Sequence, residues 1–202
     1  MNAIRSIASG LLLVILASQA WAQQSSTTLP PPPEGSIAEH VDWPVAKNAS
    51  DVDSVDHLVA ALYNVISGPA GQRRDWDRFR SLFLPDGRLG AIRADAPATT
   101  DQPARRSDIV FRTPAMYVER NDPYFKTHGF FERSIANRVE EFGNLAHVWS
   151  TYESRHAADD AKPFTRGVNS IQIVHAQGRY WLASVLWDDE RPGLTLPEKY
   201  LK

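Results

Sequence analysis

The chain has 202 residues with 22 basic and 24 acidic side chains, a formal net charge of −2, and no cysteine. This balance argues against a nucleic-acid surface, which requires clustered positive charge. Without cysteine the chain has neither disulfides nor a cysteine-linked lipid, so its stability must come from the burial of apolar side chains. The length is sufficient for one domain with such a core.

The first 22 residues have the pattern of a secretory signal peptide. Arg5 supplies positive charge, residues 11–17 (LLLVILA) form an apolar run, and residues 20–22 (AWA) match a cleavage site with small residues at both ends. The apolar run is far shorter than the roughly 20 residues of a membrane-spanning helix. We therefore expect cleavage before Gln23 and an exported protein, periplasmic or secreted, with no stable membrane insertion.

Residues 23–50 are predicted to be a Pro-rich linker, because they are mostly polar and contain the run Pro30–Pro33. Polyproline is stiff and extended and cannot join a sheet. Trp43 and Val45 are the apolar exceptions, and they are candidates for docking on the folded part. The domain itself is expected to occupy residues 51–202.

Apolar spacing predicts two helices at the start of this domain. In the first, apolar residues recur at intervals of three and four; Ser50 or Asp53 caps its start, and Gly68-Pro69 ends it. In the second, Asp75 is the expected cap, and residues 85–87 (PDG) turn the chain away. Both helices have one apolar face, so both are expected to pack on a common core.

The middle of the chain is predicted to contain one strand, one loop and one more helix. Residues 88–93 form the strand, and residues 94–107 form the loop because they lack periodic apolar residues. Thr113-Pro114 is a hydroxyl cap followed by proline at the first helical position. The third helix is expected to end near Asn121.

Two β-hairpins make up most of the last third of the chain. Residues 131–156 turn at Gly143-Asn144, and residues 165–188 turn at Gln177-Gly178. Glycine and asparagine supply the positive φ that tight hairpin turns need. The pattern predicts four antiparallel strands and an α+β fold with one strongly curved sheet.

The turn of the first hairpin sets which residues share a face, because opposed residues point to the same side. One side is charged, and there we expect Glu132 to form a cross-strand ion pair with Arg155. The predicted core side consists of Phe131, Ile135, Asn137, Val139, Ala146, Val148, Ser150 and Tyr152.

The second hairpin is apolar on both sides. One side consists of Arg166, Val168, Ser170, Gln172, Val174, Trp181, Ala183, Val185 and Trp187. If that side faces the interior, the other side forms an apolar patch that is too large for a soluble monomer to leave bare. We therefore predict a homodimer that buries Ile171, Ile173, Leu182, Leu186 and Trp149, with residues 197–201 as the alternative cover.

Several sequence motifs resemble one protein superfamily. They lie at residues 142–153 (FGNLAHVWSTYE), 166–172 (RGVNSIQ), 178–181 (GRYW) and 187–190 (WDDE). Together with the order of elements, they are similar to the nuclear transport factor 2-like (NTF2-like, or SnoaL-like) superfamily, and in particular to a group of exported bacterial members of unknown function. The resemblance implies a cone-shaped fold in which three N-terminal helices pack on a curved, mainly antiparallel sheet around a cavity.

In relatives, the tryptophan of the Gly-x-x-Trp turn lies on the cavity face, which implies that Trp181 and the residues sharing its face also point inward. Arg166 in that position would need either a carboxylate such as Asp189 or an anionic ligand. Tyr152 and Trp76 add aromatic surface to the predicted pocket. The ligand-pocket candidates are Tyr152, Arg166, Ser170, Gln172, Trp187, Asn137 and Trp76.

Catalytic groups are harder to identify from the sequence. The predicted registers place no aspartate or glutamate inward as a base, and only His156, at a strand end, falls on the inner side. The six histidines lack the spacing of a metal site, and no nucleotide-binding motif occurs. We therefore predict no metal and no cofactor.

The sequence thus favours a module that binds a small apolar molecule in its cavity, without known catalysis. One alternative is a small isomerase, dehydratase or hydrolase that uses the same cavity, and another is a purely structural or assembly module. An ionisable residue with a shifted pKa in the cavity would favour the enzyme.

Overall fold

The computed structural model describes residues 31–40, 42–97 and 99–202. The predicted signal peptide and residues 23–30 of the predicted linker, including the first of its four consecutive prolines, lie outside this part. Within it, no helix is long and apolar enough to cross a membrane. The end of the predicted linker contacts the domain, because the indole Nε1 of Trp43 donates a hydrogen bond to the carbonyl of Phe83 at 2.9 Å.

Helix α1 spans Val55–Ile66 and buries its predicted apolar stripe. Ser54 is the N-cap, one residue after the predicted Asp53, and its hydroxyl accepts from the amide of His57 at 3.2 Å. At the other end, the buried guanidinium of Arg74 donates to the carbonyls of Ile66 and Gly68 at 2.9 and 2.6 Å. The carbonyl of the last residue of α1 and the carbonyl of Gly68 just beyond the helix are therefore satisfied by a side chain from the following loop.

Helix α2 spans Trp76–Ser81 and begins at the predicted cap, Asp75. Helix α3 spans Pro114–Thr127, with Thr113 as the predicted cap. It continues beyond the predicted end at Asn121 and through Pro123. Burial of Phe125, which stacks on Trp76 with ring centroids 5.8 Å apart, holds the added turn against α2.

Six strands form one mixed sheet. The strands are β1 (Phe83–Arg93), β2 (Asp108–Arg112), β3 (Phe131–Phe142), β4 (Leu145–Arg155), β5 (Thr165–Ala176) and β6 (Arg179–Asp189). Their order is β2-β1-β6-β5-β4-β3, with β1 and β6 parallel and all other neighbours antiparallel. The two predicted hairpins are confirmed as β3–β4 and β5–β6, and β1 begins five residues before its predicted start. The architecture is consistent with an NTF2-like α+β fold.

The core lies between the helices and one face of this sheet, here called the inner face. Its most completely buried side chains are Leu58, Val59, Phe79, Leu82, Phe83, Val148, Ile171, Ile173 and Leu182. The opposite, outer face carries Trp149 and Ser170, which are register partners on β4 and β5.

A β-bulge in β3 corrects the predicted register of the first hairpin. The pairing shifts between Ser134 and Ala136, so Ile135 is an extra residue. Beyond the bulge, Glu132 is opposite Ser154 rather than Arg155, and its side chain turns to the inner face. The predicted ion pair is therefore wrong: Arg155 contacts Glu153 at 2.5 Å instead.

The predicted faces of the second hairpin were inverted on β5. Ile171 and Ile173 are in the core, whereas Gln172 is exposed. A second bulge at Ala183 shifts the pairing so that Leu182 and Trp187 both point inward although they are five residues apart. Because both sides are apolar, alternation alone could not identify the inner one.

The predicted dimer face is wrong for the same reason, since Ile171, Ile173 and Leu182 lie in the core. Part of the outer face is covered by the chain's own C-terminus. The ring of Tyr200 lies 5.6 Å from that of Trp149, and the hydroxyl of Thr151 donates to the Tyr200 carbonyl. This is the cover that the sequence analysis named as the alternative.

Candidate functional site

A cavity of about 280 Å³ lies between the helices and the inner face of the sheet. This is near the lower end of the size range of small-molecule sites. Most of its wall is apolar and comes from α1, α2, β1, β6 and the residue before β3. The apolar wall consists of Leu62, Ile66, Phe79, Leu89, Phe130, Val185 and Trp187.

Glu132 brings a carboxyl group into this wall. The bulge at Ile135 places it on the inner face, where the hydroxyl of Ser154 donates to its Oε2 at 2.7 Å. Burial raises the pKa of Glu132 to about 7, and the nearby charge of Asp189 acts in the same direction. A carboxyl group with such a pKa can both accept and donate a proton near neutral pH.

Tyr152 and Asp189 form the second polar group of the cavity. The Tyr152 hydroxyl donates to Oδ1 of Asp189, and burial together with that charge raises the pKa of Tyr152. The contact depends on Gly167, because a Cβ there would lie 2.6 Å from the Tyr152 hydroxyl oxygen and 2.3 Å from the Asp188 carbonyl oxygen. Gly167 therefore allows the tyrosine to approach β5 closely.

A third polar group holds Asn169 at the cavity wall. Its Nδ2 donates to the Tyr63 hydroxyl at 2.9 Å, and that hydroxyl lies 2.6 Å from Oγ of Ser150. Burial raises the pKa of Tyr63, so this hydroxyl stays protonated. The network joins α1 to β4 and β5 and fixes the position of the amide.

Two arginines lie at the edge of the cavity. Arg112 is the last residue of β2 and the register partner of Leu89, which is part of the apolar wall. Arg120 is an exposed residue of α3 and also lines the cavity, together with Tyr117 and Asn121. In the part of the chain that the structure describes, neither arginine has a carboxylate within 4.0 Å.

Two of the predicted pocket residues, Tyr152 and Trp187, line the cavity. Ser170 and Gln172 lie on the outer face, where the Ser170 hydroxyl is 3.0 Å from Nε2 of His147. Arg166 is half-buried, and its nearest carboxylate is that of Glu190, 3.6 Å away, rather than the predicted Asp189.

The remaining two predicted pocket residues are also outside the cavity. Asn137 is exposed on β3, and its Oδ1 accepts from the Ser134 hydroxyl at 2.7 Å. The indole of Trp76 packs between α2 and α3 and donates to Oδ1 of Asp122 at 2.7 Å. The aromatic ring is therefore part of the helix packing rather than of the pocket.

Sequence reasoning missed Glu132, and it named Asp189 only as a partner for Arg166. The cavity position of Asp189 could have been found, because it is two residues after Trp187, which was predicted to face inward. Glu132 could not, since nothing in the local sequence indicates the bulge at Ile135. Among the described residues, no group of three histidine, aspartate or glutamate side chains is placed to hold a metal ion.

Comparisons with known proteins give structural neighbours, several of which are proteins of unknown function. No protein-family model and no curated protein sequence matches this chain. A protein of unknown function with a cystatin-like fold from Nostoc punctiforme is similar, with 12% identity over 67% of this chain and 88% of the other, and a TM-score of 0.49.

Two NTF2-like proteins of unknown function are further neighbours. The one from Shewanella baltica has 7% identity, covers 67% of this chain and 94% of its own, and gives a TM-score of 0.39. The one from Methylobacillus flagellatus has 11% identity over 68% of this chain and 95% of the other, with a TM-score of 0.42. NTF2-like proteins, the superfamily that the sequence motifs resemble, are thus among the solved structures similar to this chain.

The fold and the cavity together define an α+β domain with a small, largely apolar pocket. The polar groups of this pocket include one carboxyl group of raised pKa, a tyrosine bound to a second carboxylate, and two arginines at the pocket edge.

Proposed function

We propose that this domain is a small acid–base enzyme that moves a proton on a mainly apolar substrate bound in its cavity. The observation that carries the proposal is the Glu132 carboxyl group, which lies in an apolar wall and has a pKa of about 7. A base is most useful when its pKa is close to the working pH. The raised pKa favours the enzyme over the non-catalytic module that the sequence favoured.

In the proposed reaction, ionised Glu132 accepts a proton from a carbon or oxygen atom of the substrate. The protonated carboxyl group then returns the proton to another position, so the reaction is an isomerisation and consumes no other reactant. Loss of a hydroxyl group as water after the first step would make it a dehydration. The Ser154 hydroxyl, which donates to Glu132, keeps the carboxyl group aimed at one place in the cavity.

Tyr152 and Asp189 have a supporting role in this proposal. The tyrosine hydroxyl donates a hydrogen bond to the Asp189 carboxylate, so the pair forms a fixed polar wall next to the base. The charge of Asp189 also helps to keep the pKa of Glu132 high. Loss of Asp189 is therefore expected to lower the pKa of Glu132 and to free the tyrosine hydroxyl.

Exchange of hydrogen for deuterium in a small ketone tests the proposal without knowledge of the natural substrate. Wild-type protein in D₂O is expected to speed deuterium incorporation next to the carbonyl of 2-tetralone, measured by NMR, whereas Glu132→Gln is not. Glu140→Gln, the same change at an exposed position of β3, is the control and should exchange like wild type. Exchange no faster than in buffer would contradict the proposal.

The second candidate is a non-catalytic binding module that uses the same cavity. It is favoured by the Tyr152 hydroxyl, which is bound to Asp189 and is therefore not free to stabilise a reacting oxygen. Native mass spectrometry of the purified protein would reveal a retained ligand. A ligand together with no exchange activity would support this candidate.

We also propose that the domain works after export, as the N-terminal pattern of residues 1–22 predicts. N-terminal sequencing of protein secreted from an expression host is expected to begin at Gln23. Recovery of an intact N-terminus in the membrane fraction would contradict export.

A further inference from the structure

We infer that the molecule bound in this cavity carries a small anionic group, such as a carboxylate, which Arg112 and Arg120 bind at the cavity edge. The inference rests on the proposed use of the cavity as a ligand site. It adds the chemical class of the ligand: an apolar body with one anionic end.

The two arginines reach the cavity from different elements. Arg112 ends β2 on the inner side, opposite Leu89, and Arg120 lies in the middle of α3. Both also line a shallow groove on the outer side of α3, next to Glu119. They therefore stand where the cavity meets the surface, which is where a charged group of a ligand remains partly hydrated.

Most other arginines in the described part of the chain already have partners. Some pair with carboxylates, as Arg78 does with Asp51 at 2.7 Å, and others donate to backbone carbonyls, as Arg74 does. Arg112 and Arg120 have neither kind of contact in the described part. Their donors are free for a ligand, and guanidinium groups match the geometry of carboxylates and phosphates.

The two carboxylates inside the cavity do not form ion pairs with Arg112 or Arg120. Glu132 is bound by a hydroxyl group and Asp189 by Tyr152, and among the described residues no arginine is within ion-pair distance of either carboxylate. The cavity is therefore polarised, with acidic groups inside and guanidinium groups at the edge. An anionic ligand is repelled from the inner end and attracted to the edge, so it can enter in one orientation only.

This orientation places the apolar body of the ligand in the cavity. Leu62, Phe79 and Val185 supply apolar contacts there. The far end of the ligand would then meet Glu132. An anionic end at the edge thus also positions the rest of the molecule for the proposed proton transfer.

A pair of probes of nearly the same shape, one anionic and one neutral, tests the inference. We expect 2-naphthoate to bind wild-type protein at least about 10-fold more tightly than 2-naphthamide in calorimetric titration, because a charge-assisted hydrogen bond is stronger than a neutral one. The difference should fall as salt is added. The double variant Arg112→Gln/Arg120→Gln should bind both probes equally, with the affinity for the amide unchanged.

Two controls separate the outcomes. Arg106→Gln/Arg138→Gln removes the same charge at exposed positions and should keep the preference for the naphthoate. Val185→Trp fills the cavity and should abolish binding of both probes, provided that circular dichroism shows it to be folded; Leu89→Phe is the milder replacement if it is not.

Equal binding of both probes by the wild type, abolished by filling the cavity, would overturn the anionic end while leaving the proposed ligand site intact. If neither probe bound at millimolar concentration, the result would contradict both the anionic end of the ligand and the proposed ligand site. A naphthoate preference that survives in the Arg112→Gln/Arg120→Gln variant would place the anion elsewhere and overturn the inference. The deuterium exchange of 2-tetralone is a separate readout, because that probe carries no charge.

Discussion

At the scale of single residues, the site depends on a few side chains whose surroundings differ from those of their neighbours. Glu132 and Glu140 lie on the same strand, yet only Glu132 meets an apolar wall, a hydroxyl group and a second carboxylate. Its raised pKa is a consequence of that position, and it must also affect stability, because the unfolded chain gives the carboxyl group its ordinary pKa.

The pH dependence of stability should therefore change in the variant Glu132→Gln. Between the usual value of 4.5 and about 7, the folded state holds a proton that the unfolded state has lost, so wild-type stability falls as the pH rises through this window. The total loss is up to about 3 kcal/mol at 1.36 kcal/mol per pKa unit. Urea unfolding from pH 4 to 8 should show this fall in wild type and a much smaller one in the variant.

The control for this measurement is Glu140→Gln, whose pH profile should follow that of wild type. A direct check is the titration of the Glu132 carboxyl carbon by NMR. If the chemical shift of that carbon showed an ordinary pKa for the Glu132 carboxyl group, it would contradict both the stability prediction and the role of Glu132 as the base.

Gly167 is a second residue whose local contacts predict the effect of a substitution on stability. Gly167→Ala should lower the free energy of unfolding by about 1–3 kcal/mol, because the added methyl group overlaps the Tyr152 hydroxyl and the Asp188 carbonyl. Chemical denaturation gives the magnitude. In the background Tyr152→Phe, the hydroxyl is gone, so the same substitution should cost less; an equal cost in both backgrounds would mean that the hydroxyl contact is unimportant.

At the scale of elements, the two β-bulges decide which side chains enter the cavity. The turns at residues 143–144 and 177–178 set the pairing next to them as the sequence predicted. Farther along each strand, Ile135 and Ala183 each add one residue and reverse the alternation. The helix caps and the turn residues were predictable because they act within a few residues, whereas a bulge depends on packing against other elements.

The position of β5 and β6 in the core changes the expected result of one substitution. If Leu182 lay on the outer face, the variant Leu182→Glu would test dimerisation. Because Leu182 is fully buried in the core, the same variant places a charge in the protein interior. An unpaired buried charge costs several kcal/mol, so the variant should unfold or be insoluble. Circular dichroism should show loss of structure; a folded monomer would contradict the core position.

At the scale of the whole molecule, one exposed apolar cluster of the sheet lies on the outer face at its β1–β2 end. Phe111 and Ile92 are 51% and 37% exposed, and Ile109 and Leu186 pack beside them over Gly90. Exposed apolar clusters are uncommon on monomers. The homodimer remains a prediction, and this end of the sheet replaces the face that was predicted for it.

Sedimentation of wild-type protein at micromolar concentration should therefore show a dimer, and Phe111→Glu should shift it to a monomer that stays folded, because this side chain is half exposed. The matched control is Phe142→Glu, the same change at a phenylalanine that is 86% exposed at the β3–β4 turn. A monomeric wild type, or a dimer that survives Phe111→Glu, would contradict this interface.

The sequence by itself determined the capped helices, the two hairpins with their turns, and the α+β class of this protein. These features depend on periodicity, turn residues and caps, which are local. Only the tertiary structure decided which face of β5 is buried, where the strands bulge, and that Glu132, Tyr152 and Asp189 meet in one cavity. Those outcomes depend on packing between distant residues, because apolar side chains on both faces of a strand leave the choice of inner face to the helices.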